Sequence, residues 1–120
     1  MGTDDFHVSL QRRADGISVI QVGGEIDITN SLAFKECLLA ILDEGAMQVV
    51  LDLDATDRVD TTGLSVILEL ARRCGREDRE LAIVSSEGWV RHALANTGLD
   101  QLVPTHATLD EALGHGGRSL

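Results

Sequence analysis

Tyrosine is absent from this chain, and Trp89, Phe6 and Phe34 are its only rings of the Phe, Trp and Tyr class. A core built here has to be aliphatic. A chain so poor in aromatics also lacks the stacking platforms used by single-strand nucleic-acid binders. Positive charge is scarce too. Ten Lys and Arg stand against 20 Asp and Glu, for a formal net charge of −10. Such a surface repels both nucleic-acid phosphate and an anionic bilayer, so neither is expected as a partner. No run reaches the ~18 apolar residues of a membrane span. The opening MGTDDFHV has no basic-then-apolar signal pattern. The expectation is a cytoplasmic protein with no direct membrane insertion. Cysteine is limited to Cys37 and Cys74, both in helical, partly apolar patterns without CxxC spacing. They read as buried free thiols of a reducing compartment. His7, His92, His106 and His115 show no metal-ligand spacing. No metal or cofactor is expected.

What is present is aliphatic pattern. Hydrophobic residues make up 43% of 120 residues, enough for one domain, 1–120, without disulfide staples. Residues 6–12 alternate apolar and polar, and 17–22 form a second apolar run after the turn Ala14-Asp15-Gly16, so an antiparallel hairpin is predicted. Gly23-Gly24 should end that pairing. A loop, GEIDITNS, follows, in which Thr29, Asn30 or Ser31 can cap a helix over about 31–42. Its stripe is Phe34, Leu38 and Ile41, with Cys37 beside it. Met47 to Leu53 has the length of a buried strand. A short acidic loop with Asp54, Asp57 and Asp60 comes next, and then a helix over about 62–74. In that helix Leu64, Ile67, Leu68 and Ala71 make the core stripe, and Val66 and Leu70 a second apolar side. ELAIV (80–84) reads as a fourth strand. Ser85-Ser86-Glu87 suits a cap for a helix at about 87–96, with Val90, Ala93, Leu94 and Trp89 inward. A short strand at 101–103, a last helical turn from Thr108 to Leu113 and a flexible tail from about 114 to 120 complete the chain.

Strands alternating with helices of this length imply an α/β fold, a small, mostly parallel sheet of 4–5 strands with an N-terminal hairpin, packed on about four helices. The loops 25–30, 54–63 and 85–88 should then gather at the carboxyl end of the sheet, where open α/β sheets meet their ligands. Two motifs there bear on chemistry. Asp52-Leu53-Asp54-Ala55-Thr56 after an apolar strand matches the DxDxT of aspartyl phosphatases. That chemistry needs a downstream lysine to hold the aspartyl phosphate, and Lys35, the sole lysine, lies upstream. Asp52 reads better as a residue that hydrogen-bonds nearby loop N–H groups. The second motif is Asp60-Thr61-Thr62-Gly63-Leu64. A Thr cap accounts for one hydroxyl. It leaves unexplained the second hydroxyl, the adjacent carboxylate and Gly63, which permits close backbone approach.

This second motif carries a family resemblance. VxDTTGLSVIL after VVLDL resembles the Asp–(Ser/Thr)–(Ser/Thr)–Gly–(Leu/Val) signature of STAS domains, named for sulphate transporters and anti-sigma factor antagonists. GEIDITNS is similar to the family's loop before the first helix, and VRHALANTGLDQLVPTHATLDEAL to its C-terminal stretch. The resemblance implies a stand-alone anti-sigma factor antagonist, not itself an enzyme. Its partner would be an anti-sigma factor that is a serine/threonine kinase and holds the ATP and Mg²⁺ itself. The family's phosphoacceptor is the first hydroxyl after the motif Asp, usually Ser; here the position is Thr61, with Thr62 as its neighbour and competitor. By the same resemblance Glu25, Asp27, Thr29, Asn30, Asp60, Thr61, Thr62, Gly63, Ser65 and Val66 form the partner face. The alternative it leaves open is a regulatory subunit of an ABC-type membrane transporter, docking on the ATPase through the same helix.

Overall fold

A computed structural model describes residues 6–117, with side chains to Gly114. It contains strands β1 (His7–Arg12), β2 (Ile17–Ile26), β3 (Gln48–Val59), β4 (Glu80–Val84) and β5 (Thr105–His106). The helices are α1 (Ser31–Asp43), α2 (Thr61–Arg76), α3 (Trp89–Asn96), α4 (Leu99–Leu102) and α5 (Leu109–Gly117). The strands form a single five-stranded sheet in the order β1-β2-β3-β4-β5. β1 is antiparallel to β2, and the other neighbours are parallel. The expected hairpin and parallel sheet are both there. The expected flexible tail from about 114 is helical as far as Gly117, where α5 ends, and 118–120 lie outside the described residues.

Side-chain alternation divides the sheet into two faces. Ile20, Val22, Val49, Leu51, Leu53 and Ile83 pack against Phe34 and Leu38 of α1, Ile67 and Leu70 of α2, and Leu94 of α3. The intervening Ile17, Val19, Val50 and Val84 meet Ala112 of α5. Both cores are aliphatic apart from Phe34, as the shortage of rings requires.

Several elements depart from the pattern-based reading. β2 and β3 do not stop at Gly23 and Leu53. They stay paired to Ile26 and Val59, with register shifts between Gln21 and Gly23 and between Gly24 and Glu25. A bulge admits an extra residue and breaks the period-two pattern, so the acidic ATDRV segment looks like a loop. Thr56 is nevertheless buried, its Oγ1 donating to the Val22 carbonyl at 2.7 Å. Gly24 takes φ +86° at the shift, a conformation that suits glycine. Residues 101–103 are not a strand either. Gly98, at φ +79°, ends α3 and starts the single turn of α4; β5 pairs instead through Thr105 and His106 with Ile83 and Val84. Three apolar-polar residues cannot distinguish a strand from a helical turn. α3 starts after Gly88 without a side-chain cap, because Ser86 Oγ donates to Asp54 at 2.8 Å. Trp89 is 56% exposed rather than inward. Cys37 falls outside the stripe of α1 and is exposed, whereas Cys74 is buried, and burial pushes its thiol pKa up.

Candidate functional site

α2 starts on Asp60, whose backbone is extended and whose carboxylate closes the first turn. It accepts from the N–H of Thr62 at 3.0 Å, the N–H of Gly63 at 3.1 Å and the hydroxyl of Thr62 at 2.5 Å. The cap is therefore the aspartate, not a threonine: a carboxylate has lone pairs for all three donors. Burial pushes the Asp60 carboxyl up, but the Thr62 hydroxyl and the N–H groups of Gly63, Thr62 and Ile28 outweigh it and hold the pKa below its usual value. The end of β2 is tied to the start of α2 by the Asp60 N–H, which donates to the Ile26 carbonyl at 3.0 Å.

The two threonines have different environments. Thr62 is half-buried and its hydroxyl is engaged by Asp60. Thr61, the first residue of the helix, is exposed, and its hydroxyl makes no hydrogen bond among the described residues. Gly63 presses against the sheet. A Cβ there would lie 2.6 Å from Val59 Cγ2 and 2.7 Å from Ile26 Cγ2. Ser65, one turn on, is exposed. Val66 was expected on that face, but it is 8% exposed and packs beside Leu38 and Leu39 of α1. It faces inward because α2 is covered by α1 as well as by the sheet, which buries more than one stripe.

The loop before α1 holds its own shape. The Asp27 carboxylate accepts from Thr29 N–H at 3.0 Å and Thr29 Oγ1 at 2.5 Å. Asn30 Oδ1 accepts from Asp27 N–H at 2.9 Å, and its Nδ2 donates to the Glu25 carbonyl at 2.9 Å. Asn30 stands at the N-cap of α1 but spends its side chain on the loop, so no side-chain cap forms. These bonds leave Ile28 and Leu32 projecting, 74% and 66% exposed. Asp27 and Thr29 sit beside them, near the Asp60 cap.

Across α2 from this loop lies an open groove of about 800 Å³. It is lined by Val59, Leu64, Trp89 and Ala93, with Asp60, Thr61 and His92 on its polar side. The Arg58 guanidinium lies 5.2 Å from the centroid of the Trp89 ring. Thr61 thus stands between an exposed apolar loop and an apolar groove. Of the three segments expected at the carboxyl end of the sheet, 25–30 joins the start of α2 through Ile26 and Asp60, and 85–88 joins β3 through Ser86 and Asp54, although 54–59 is strand rather than loop. Sequence reasoning does not mark Ile28, Leu32 or Arg58, reads Trp89 as core and gives His92 no role. Nothing in a pattern tells an exposed Ile or Trp from a core one.

The DxD motif is differently engaged. Asp52 is 7% exposed and accepts from Asp54 N–H at 3.0 Å and Gln21 Nε2 at 3.4 Å. Asp54 turns to Ser86. Lys35 pairs with Glu69, on α1 and α2, at 3.2 Å. Among the described residues no group of three or more His, Cys, Asp and Glu could hold a metal ion, and no helix is long and apolar enough to cross a membrane.

Residues 10–112 match the model of one family, the STAS domain. Among proteins similar in sequence is the anti-sigma-F factor antagonist RsfB of Mycobacterium tuberculosis. It is 26% identical over 106 residues, which cover 87% of this chain and 86% of that protein. The anti-sigma-B factor antagonist of Staphylococcus aureus is 25% identical over 84 residues, 70% of this chain and 78% of that one. In three dimensions the chain is similar to an anti-sigma factor antagonist from Mycobacterium paratuberculosis, with TM-score 0.88, 28% identity and 97% of each chain covered. It also shares its fold with the antagonist SpoIIAA in its unphosphorylated form, at TM-score 0.77 and 18% identity, over 95% and 98% of the two chains.

Proposed function

This chain belongs to the STAS domain family, and from that premise we propose that it is an anti-sigma factor antagonist that binds a kinase-type anti-sigma factor and is released from it by phosphorylation at Thr61. The relatives' names support the first half. The observation that carries the second is the unequal treatment of the two threonines. Asp60 and the Thr62 hydroxyl build the cap, and the Thr61 hydroxyl is left exposed on the first turn.

The partner face on this reading runs from Glu25, Asp27, Thr29 and Asn30 over the projecting Ile28 and Leu32 to Asp60, Thr61, Thr62, Gly63 and Ser65. The buried Val66 supports the face from beneath and does not contact the partner. The chain itself contributes no catalysis. The kinase positions ATP and Mg²⁺, the Thr61 oxygen attacks the γ-phosphorus, the hydroxyl proton passes to the kinase's base, and ADP leaves. The methyl of Thr restricts χ1 compared with Ser, so the hydroxyl is presented in few rotamers.

The product tolerates its new group. A phosphate at a helix N-terminus is favoured by the dipole, so the fold persists. It adds close to two negative charges next to Asp60, at a surface that closes against the partner. A working switch needs about a hundredfold loss of affinity, about 2.7 kcal/mol, and like-charge repulsion at a desolvated interface supplies this. The reaction takes place in the cytoplasm, where sigma factors act.

Affinity for a kinase-type anti-sigma factor from the same genome, measured by titration calorimetry, tests the reading. Wild type and Thr61→Ala should bind equally well with ADP present, and Thr61→Asp should bind poorly. Equal affinity of all three would remove Thr61 from the switch.

A further inference from the structure

Arg58 has no carboxylate partner among the described residues, although Glu25 stands next to it in register on β2. Its guanidinium is held by a neutral group, the Trp89 ring. That ring lines the groove that Thr61 and His92 also line. A cation–π contact at an exposed site is weak beside a charge-assisted pair. Arginine's planar fork also matches phosphate geometry with two parallel N–H···O bonds. Arg58, three residues before Thr61, is therefore held on a ring that shares a groove with Thr61, and held loosely enough to leave.

We infer that Arg58 is the internal ligand of the phosphate on Thr61. When Thr61 carries phosphate, the guanidinium leaves the Trp89 ring and pairs with the phosphate oxygens. His92 lines the same groove and is the second candidate. The inference rests on the Thr61 reading and adds its regulation. The ionised Asp60 makes an uncompensated phosphate dianion unfavourable, and Arg58 supplies the compensation from within the chain. The same event uncovers the Trp89 ring. Phosphorylation then changes the surface twice, by what it adds and by what it removes.

The test uses the full chain with phosphothreonine placed at 61 during translation, so no kinase is needed. Phosphorus NMR gives the second ionisation of the phosphate, and Trp89, the only tryptophan, reports by fluorescence. The titratable side chains lining the groove with Thr61 are Asp60 and His92; Arg58 lies on the Trp89 ring, with Glu25 in register beside it on β2. A paired guanidinium favours the dianion, so the phosphate pKa should lie about one unit lower in the wild type than in Arg58→Gln, about tenfold in proton affinity. His92→Gln should move it less. Wild-type emission should change on phosphorylation, and Arg58→Gln emission should not. Arg58→Lys keeps the charge without the fork and should fall between, which provides a second reading if Arg58→Gln folds poorly. Equal phosphate pKa values in wild type and Arg58→Gln, or a shift lost in His92→Gln but kept in Arg58→Gln, would overturn the assignment. Failure of a kinase to label Thr61 would instead strike the proposed function, and leave this measurement standing.

Discussion

Gly63→Ala should destabilise the protein, although the same change in an ordinary helix stabilises it. The new Cβ would lie 2.6 Å from Val59 Cγ2, 2.7 Å from Ile26 Cγ2 and 3.2 Å from Ile26 Cβ. Both residues are 1% exposed, paired across β2 and β3, and β-branched, so their methyls have no easy rotamer to retreat to. The helix cannot simply lift, because Asp60 and the Ile26 carbonyl pin its start. Overpacking of this kind costs ~1–3 kcal/mol. Against it stands at most ~1 kcal/mol from the better helix propensity of alanine. The net loss should be about 1–2 kcal/mol, a sizeable share of the ~5–15 kcal/mol that holds a domain together. Urea unfolding should show a lower midpoint at an unchanged slope. Gly75→Ala is the control in the same helix: nothing lies within 4 Å of its Cβ, and it should be neutral or stabilising by up to ~1 kcal/mol. A Gly63→Ala protein as stable as Gly75→Ala would refute the close approach of α2 to the sheet.

Asp60→Ala should cost about 1–2 kcal/mol, since three donors lose their acceptor. The pKa of Asp60 is depressed by folding, so its ionised form stabilises above the unfolded value of ~3.9 and that contribution disappears as pH falls through the folded pKa. The stability gap between wild type and Asp60→Asn, followed by thermal melts, should therefore close below about pH 4. Asp27→Ala should weaken partner binding by about 1–3 kcal/mol with a much smaller change in melting temperature, because its carboxylate bonds only within its own loop; a large drop in stability at unchanged affinity would make Asp27 structural. A thiol reagent should label Cys37 quickly and Cys74 only on unfolding, because Cys74 is 2% exposed and its thiolate is disfavoured by burial; rapid labelling of both in the native state would contradict that burial.

Much of this architecture is legible from apolar spacing. The hairpin, the buried runs of β3 and β4, and α1 and α2 follow from it because each buries a regular stripe. The failures share a cause, which is that the deciding contact lies outside the local pattern. The far half of β3 looks like an acidic loop because two register shifts against β2 break its alternation. Val66 looks like a surface residue until α1 is seen to cover it. Trp89 looks like core until Arg58 is found on its exposed ring. The site is legible as a motif, DTTGL, but the allocation of its groups is not. The carboxylate caps the helix and engages Thr62, and Thr61 is left exposed; DTTG offers three possible capping side chains, and the pattern alone does not choose among them.

The central claim concerns one oxygen atom, and fragment mass spectrometry after incubation with a kinase-type anti-sigma factor and ATP addresses it directly. A single phosphate should appear, located on Thr61, with release of the kinase as it accumulates; Thr61→Ala should take none and remain bound. Phosphate on Thr62, or none on the wild type while the complex still forms, would contradict the switch and leave a docking protein that is never phosphorylated.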